Sequence, residues 1–255
     1  MCRVCGCGDD EHVHDHGHHD HGHDHGHGHD HDPAHDHGHA RRIALESSLL
    51  AKNDQLAHEL RARLARARVA ALNLIGAPGA GKTTLLEATI RRLADLPVAV
   101  IEGDQATDHD AQRIARTGCP VLQVNTGAGC HLDATMIDRA LARLAPAQRS
   151  VLFVENVGNL VCPALFDLGE RAKVVVMSVT EGEDKPLKYP HVFRAASALV
   201  LTKADLLPHL DVDPARFVEY ARRIQPALEV FPVCATRGEG LAEWCGWIRK
   251  HVEAM

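Results

Sequence analysis

The chain has 255 residues, 45% hydrophobic and 24% charged, which suits one substantial α/β domain with an appendage. Its formal net charge of -6 counts 20 histidines as neutral, so it shifts whenever imidazoles take up protons or metal and marks neither a nucleic-acid binder nor an acidic-surface protein. No run approaches the roughly 18 apolar residues of a membrane span, and the chain opens into histidine instead of an apolar segment, so no secretory signal is expected and the cytoplasm is the expected location.

Residues 1–39 join a Cys-rich head to repeats of His with Gly and Asp, without apolar periodicity. Such a tail cannot bury a core and is expected to be disordered without a ligand. Cys2, Cys5 and Cys7 put three soft thiolates in one small loop. They make three corners of a square-planar site suited to Ni²⁺ or a tetrahedral one suited to Zn²⁺, with the α-amino group as a fourth donor. Spacing does not choose between the ions. Between His12 and His39 lie 14 histidines, too many for one defined site and suited to a store of weak imidazole sites. A metal-free, pH-responsive linker is the plainer alternative; an expression tag would be uniform, whereas these histidines alternate with Gly and Asp.

Residues 40–68 switch to Ala, Leu, Arg and Glu, with Ile43, Leu49, Leu50, Leu56, Leu60 and Leu64 at mostly helical spacing. One or two amphipathic helices docked on the main domain are expected. From residue 69 to 255, β-prone runs at 69–75, 98–101, 151–154, 174–179, 199–202 and 228–233 alternate with helical patterns. Continuous apolar strands separated by helix-length segments predict a mostly parallel sheet covered on both faces, with ligands at the carboxyl ends of its strands.

Directly after the first run stands Gly76-Ala77-Pro78-Gly79-Ala80-Gly81-Lys82-Thr83, followed by Thr84 and a helical pattern. This is the setting of a P-loop. Gly76, Gly79, Ala80 and Gly81 are expected to turn backbone N–H groups toward phosphates, Lys82 to reach the β and γ phosphates, and Thr83 to coordinate Mg²⁺, with Thr84 beside it. The second run ends in Ile101-Glu102-Gly103-Asp104 and a later one in Glu155-Asn156-Val157-Gly158. Asp104 is a direct or second-sphere Mg²⁺ ligand by this reading and a candidate to position the attacking water. Glu155 falls where P-loop enzymes carry their metal-associated acid. Gly158 lets a backbone amide approach the γ-phosphate, which makes 155–162 a candidate switch.

Asn125-Thr126-Gly127-Ala128-Gly129 leads into Cys130-His131, and Cys162 follows Gly158 by four residues. Metal ligands at the edge of a phosphate-sensing segment would change affinity with nucleotide state; buried filler is the competing explanation. Later, Thr202-Lys203-Ala204-Asp205 is a variant of the Asn-Lys-x-Asp guanine motif. The Asp205 carboxylate only accepts hydrogen bonds, which matches the N1 and N2 donors of guanine and opposes the N1 acceptor of adenine. The Lys203 stem is expected over the base, Thr202 departs from the usual Asn, and Cys234-Ala235-Thr236 resembles a final guanine-contacting loop.

These residues together resemble the hydrogenase nickel-incorporation GTPases of the HypB type over essentially the whole chain. The matching features are Cys-x-x-Cys-Gly-Cys, the His tail, the P-loop, Glu-Gly-Asp, Gly-Cys-His-Leu-Asp, Glu-Asn-Val-Gly-Asn-Leu-Val-Cys-Pro and the stretch from Lys185 to Pro190. The resemblance implies a SIMIBI-type P-loop GTPase that is Mg²⁺-dependent. It implies a high-affinity nickel site at Cys2, Cys5 and Cys7, a second nickel or zinc site at Cys130, His131 and Cys162, and a GTP-favoured homodimer with that second site near its interface. The implied partners are a companion nickel-binding accessory protein, a nickel-binding prolyl isomerase in some organisms, and the precursor of the nickel-iron hydrogenase large subunit. Neither nucleic acid nor membrane is an expected partner.

The mechanism expected from this is that GTP and Mg²⁺ order the segments around Asp104 and Gly158 and arrange the second site, which hydrolysis then loosens. Lys185 is a candidate for contacting nucleotide across a dimer, or else an exposed loop cation. Two rivals are a urease-type nickel-delivery GTPase, whose Cys-Pro-His motif is lacking here, and a nickel or zinc storage protein with a vestigial nucleotide domain, which the intact Lys82, Thr83 and Asp205 oppose.

Overall fold

A computed structural model describes residues 34–105, 107–127 and 129–255, with side chains along the first helix described from Ser47 onward. Seven strands form one sheet: β1 (Val69–Ile75), β2 (Val98–Asp104), β3 (Val121–Asn125), β4 (Ser150–Glu155), β5 (Ala172–Ser178), β6 (Ala198–Thr202) and β7 (Glu229–Val233). Their spatial order is β3-β2-β4-β1-β5-β6-β7, and every pairing is parallel. The helices are α1 (Ala34–Arg66), α2 (Lys82–Arg92), α3 (His109–Ala115), α4 (Ala134–Leu144), α5 (Cys162–Leu165), α6 (Lys185–Lys188), α7 (Pro190–Ala195), α8 (Pro214–Ile224) and α9 (Leu241–Glu253). Cys2, Cys5, Cys7 and the histidines up to His31 lie outside the described residues.

The central strands β1 and β4 are buried at every position, as strands covered on both faces must be. Successive residues feed opposite layers. Leu72 and Leu74 of β1 join Leu85, Leu86 and Ile90 of α2 and Trp244 and Ile248 of α9 in one core, while Val69 and Ala71 join Ile137 and Leu141 of α4 in another. A third layer packs Val175 and Met177 of β5 under Val192, Phe193 and Phe217. Under α2, the stacked rings of Trp244 and Trp247 lie 5.3 Å apart, and Trp244 Nε1 donates to Thr89 Oγ1 at 3.0 Å.

One sequence expectation changes, and another is narrowed, since of the one or two N-terminal helices expected one forms. Six strands were expected and β3 is the seventh; its Val-Leu-Gln-Val-Asn run lies at the sheet edge and is only half-buried, so it lacks the continuous apolar character of doubly covered strands. The N-terminal segment is one helix that begins at Ala34. Its docking stripe is Asn53, Ala57, Leu60 and Leu64, whereas Leu49 is 52% exposed. Docking is partly polar: Asn53 Oδ1 accepts from Ala134 N at 2.9 Å, and Asn53 Nδ2 donates to Asp167 O at 2.8 Å. Among the described residues no helix is long and apolar enough to cross a membrane.

Candidate nucleotide and metal site

Because β4 lies between β2 and β1, the chain ends of β1, β2 and β4 meet at one rim of the sheet, where an open α/β sheet places its ligand. The loop after β1 curls into α2, whose N-cap is Gly81 at φ 90°, a left-handed conformation that glycine adopts at little cost. Lys82, only 8% exposed, folds back to donate to Gly76 O at 3.2 Å and Ala77 O at 3.4 Å. Burial lowers its pKa, with Glu155, Asp110, Glu181 and Glu102 opposing. A buried ammonium beside a helix N-terminus suits an anionic ligand. Pro78, Gly79, Gly81, Lys82, Thr83 and Thr84 line a cavity of about 460 Å³ with Glu102, Asp104, Glu155, Gly158 and Lys203.

Thr83 Oγ1 donates to Glu155 Oε1 at 2.8 Å in a buried setting. Glu155 stands beside Glu102 in the β2–β4 register. Burial raises Glu155 to about 7, against the pull of Lys82 and Thr83, and burial followed by repulsion from Glu155 raises Glu102 to about 8. The Oε2 atoms of both lack a hydrogen-bond partner among the described residues. A hydroxyl and two crowded carboxylates with unmatched oxygens form the hard, all-oxygen donor set that suits a divalent cation such as Mg²⁺. Sequence reasoning gave Glu102 no role of its own; the signal was a charge inside the apolar run Val-Ala-Val-Ile-Glu of a buried strand.

Asp104 instead caps its own turn, accepting from Gln105 N at 2.7 Å, Thr107 N at 3.0 Å and Thr107 Oγ1 at 2.7 Å. Burial would raise its pKa, but these hydrogen bonds outweigh burial and hold it below the ordinary value. Arg113 of α3 also lines the cavity, donating to Thr84 Oγ1 at 3.0 Å and pairing with Glu87 at 2.7 Å. Gly158 rests on the phosphate loop so closely that an added Cβ would stand 2.9 Å from Pro78 Cγ.

A neighbouring cavity of about 300 Å³ is lined by Gly81, Thr84, Thr202, Lys203, Asp205, Cys234, Ala235 and Thr236. Thr202 Oγ1 lies 2.6 Å from Ala80 O and 3.2 Å from Met177 O, so the departure from Asn still ties the phosphate loop to the sheet. Lys203 Nζ donates to Gly79 O at 2.9 Å. A hydrogen bond from Cys234, then the charge of Arg237, keeps Asp205 ionised below the ordinary carboxylate range.

At the far end of residues 155–162, Cys162 converges with Cys130 and His131 so that their ligand atoms all lie within 4.8 Å of one another. The two sulfurs are 2.9 Å apart, and Cys130 Sγ is 3.7 Å from His131 Nδ1. Phe166 stacks on the His131 ring at 3.9 Å. Burial lowers the His131 pKa, with Asp133 opposing, which favours the neutral imidazole that binds metal. Two thiols and an imidazole are soft and borderline donors, suited to Ni²⁺ or Zn²⁺ and unlike the oxygen set at Thr83. Cys119 and Cys245 belong to the apolar core. Lys185 pairs within its own chain with Glu181 at 4.0 Å and lies over the Tyr189 ring at 5.2 Å.

The sequence pattern of the family described as CobW/HypB/UreG, nucleotide-binding domain, matches residues 70–232. The chain is similar to hydrogenase maturation factor HypB of Azotobacter vinelandii, at 56% identity over 213 residues that span 83% of this chain and 70% of the relative. Its fold is similar to a crystal structure of hydrogenase maturation factor HypB from Archaeoglobus fulgidus, with TM-score 0.74, 37% identity and coverage of 80% of this chain and 100% of the other. HypB from Helicobacter pylori, crystallised in complex with nickel, gives TM-score 0.75 and 33% identity, covering 80% of this chain and 96% of the other.

Proposed function

The chain belongs to the HypB family of hydrogenase maturation factors, and on that premise we propose that it hydrolyses GTP to GDP and phosphate and couples this to delivery of nickel into the precursor of a nickel-iron hydrogenase large subunit. The observation that carries this reading is one short segment. It begins at Glu155, which accepts from Thr83, passes Gly158 against Pro78, and ends at Cys162 beside Cys130.

In this mechanism Lys82 would leave the loop carbonyls to meet the β and γ phosphates, and Thr83 with the Glu155 and Glu102 carboxylates, joined by Asp104 once released from its own turn, would hold Mg²⁺, which would supply charge neutralisation at the transferring phosphoryl group. Thr202, Lys203, Asp205, Cys234 and Ala235 hold guanine, with Asp205 selecting against adenine. Closing of Gly158 on the γ-phosphate draws Cys162 toward or away from Cys130 and His131, so nickel is held in one nucleotide state and released in the other. Zn²⁺ is the alternative ion for that cluster. Residues 1–39 serve as a nickel-binding tail through Cys2, Cys5, Cys7 and the histidines, 40–68 as a docking helix and 69–255 as the GTPase domain. The Helicobacter pylori relative in complex with nickel supports the choice of ion.

The reading extends to a GTP-favoured homodimer in the cytoplasm, working with a companion nickel accessory protein and, in some organisms, a nickel-binding prolyl isomerase. The decisive experiment is GTP turnover with Mg²⁺ combined with nickel titration in the GDP and GTP-analogue states. Turnover with a nucleotide-dependent nickel affinity is the expected result. Absence of GTP hydrolysis, or identical nickel affinity in both states, refutes the proposal.

A further inference from the structure

Asn156 is 1% exposed and follows Glu155 directly. Its Oδ1 accepts from Val157 N at 3.0 Å, inside the switch segment, and from Leu132 N at 3.2 Å, the residue after His131. Its Nδ2 donates to Asn73 Oδ1 at 3.2 Å, in the middle of β1. From Asn73 the contacts continue: Asn73 Nδ2 donates to Glu170 Oε1 at 3.2 Å, Lys173 pairs with Glu170 at 3.7 Å, and Lys173 Nζ donates to Ala164 O at 3.1 Å and Phe166 O at 2.9 Å. Ala164 belongs to α5, which begins at Cys162, and Phe166 is the ring stacked on His131. The chain of contacts therefore runs from residues 156 and 157 to both sides of the Cys130, His131 and Cys162 cluster, at Leu132 and at Ala164 and Phe166.

Buried amides whose donors and acceptors are matched resist independent movement, because displacement strands a polar group away from water. We infer that Asn156 is a positioning residue that makes the Cys130-His131 loop and residues 155–158 move together, so that nucleotide state reaches the metal ligands through its amide as well as along the backbone to Cys162. The inference rests on the proposed coupling of GTP to nickel. Leu132 reinforces the same joint: an added Cβ on Gly103 of β2 would stand 2.8 Å from Leu132 Cδ1, so the ligand loop lies against the strand that ends in Asp104.

A plain structural brace would look similar, and the molecule offers one for comparison. Asn53 of α1 bonds Ala134 N, two residues beyond Leu132, and Asp167 O, yet it lines neither nucleotide cavity. The test uses the full chain with Cys2, Cys5 and Cys7 replaced by Ser in every variant, so that thiolate-to-nickel charge-transfer absorption reports Cys130 and Cys162. Ni²⁺ affinity is measured by chelator competition with Mg²⁺ and GDP or a non-hydrolysable GTP analogue.

The parent is expected to show about a tenfold ratio between the two states, within the usual range of coupling. Asn156→Ala brings that ratio close to one, with both affinities measured on the same sample. Asn156→Ser keeps the local turn bond to Val157 N but cannot span to Leu132 N, and gives the same result if the alanine variant folds poorly. Asn53→Ala changes nickel affinity by the same factor in both states and leaves the ratio intact. Asn156 variants that keep the parental ratio overturn the inference alone; a parental ratio of one overturns the proposed function as well. Hydrogen exchange at Leu132 N–H needs no variant: protection that differs between nucleotide states supports the inference, and identical protection overturns it.

Discussion

The nucleotide end and the metal end of the molecule are built by opposite strategies. The phosphate loop is a contiguous stretch between β1 and α2, shaped by its own backbone and anchored on the core layer that α2 shares with α9. The cluster of Cys130, His131 and Cys162 is assembled from a loop and the start of α5, more than thirty residues apart in sequence, with buried side-chain amides and one aromatic ring around it. A contiguous site is stabilised wherever its strand and helix fold; a composite site depends on long-range contacts and can respond to small shifts in them. On the proposed function, this makes the first a fixed reader of phosphate and the second an adjustable holder of metal.

The sharpest way to break that contrast is Lys82→Ala. It should reduce GTP turnover by at least about 100-fold while leaving nickel affinity in the absence of nucleotide unchanged, as turnover and nickel titration will check. Cys162→Ala is the converse. Loss of outer contacts to a metal ligand typically costs about 10–100-fold in affinity, so loss of the ligand itself should cost at least that, with GDP affinity preserved. If Lys82→Ala also abolished nickel binding, the two ends would be one site rather than two.

A smaller effect probes the layer beneath the metal end. Leu60 is 1% exposed and packs with Leu64 and Leu168, so Leu60→Ala should destabilise the fold by roughly 2–5 kcal/mol, read by urea denaturation. The smallest expected effect concerns pH. Glu155 and Glu102 titrate near 7 and 8 in the folded chain, against an ordinary value of 4.5. The folded state thus binds more protons than the unfolded one between those values, and stability of the nucleotide-free protein should fall as pH rises from about 5 to 8. Glu102→Gln should flatten that slope, by on the order of 1–3 kcal/mol across the range. A slope unchanged in the variant would show that Glu102 is not the group responsible.

Much of the architecture was legible because it is local. The apolar runs of β1, β4 and β6, the glycine pattern before Lys82 and the helical spacing around Leu60 and Leu64 each carry their meaning within a few residues. The edge strand β3 was not, since one open side relaxes the demand for apolar residues and Gln123 interrupts the pattern. Cys130 and Cys162 could be singled out, but their proximity depends on β4 inserting between β1 and β2, which no local pattern states. Glu102, Asn73 and Asn156 were readable only as polar residues in or just beyond apolar strands; their partners lie far off in sequence, and each shows its purpose only once the neighbouring strand is in place.

The placement of the indoles has a practical corollary for spectroscopy. Both tryptophans of the chain sit in α9, and Trp244 meets α2 at Thr89, roughly 10 Å along that helix from Lys82 at 1.5 Å per residue. Their intrinsic emission therefore reports melting of the sheet-and-helix sandwich. Among the described residues neither cavity at the strand ends is lined by an aromatic ring, so guanine would arrive without a native fluorophore beside it, and following its occupancy by light calls for a labelled nucleotide.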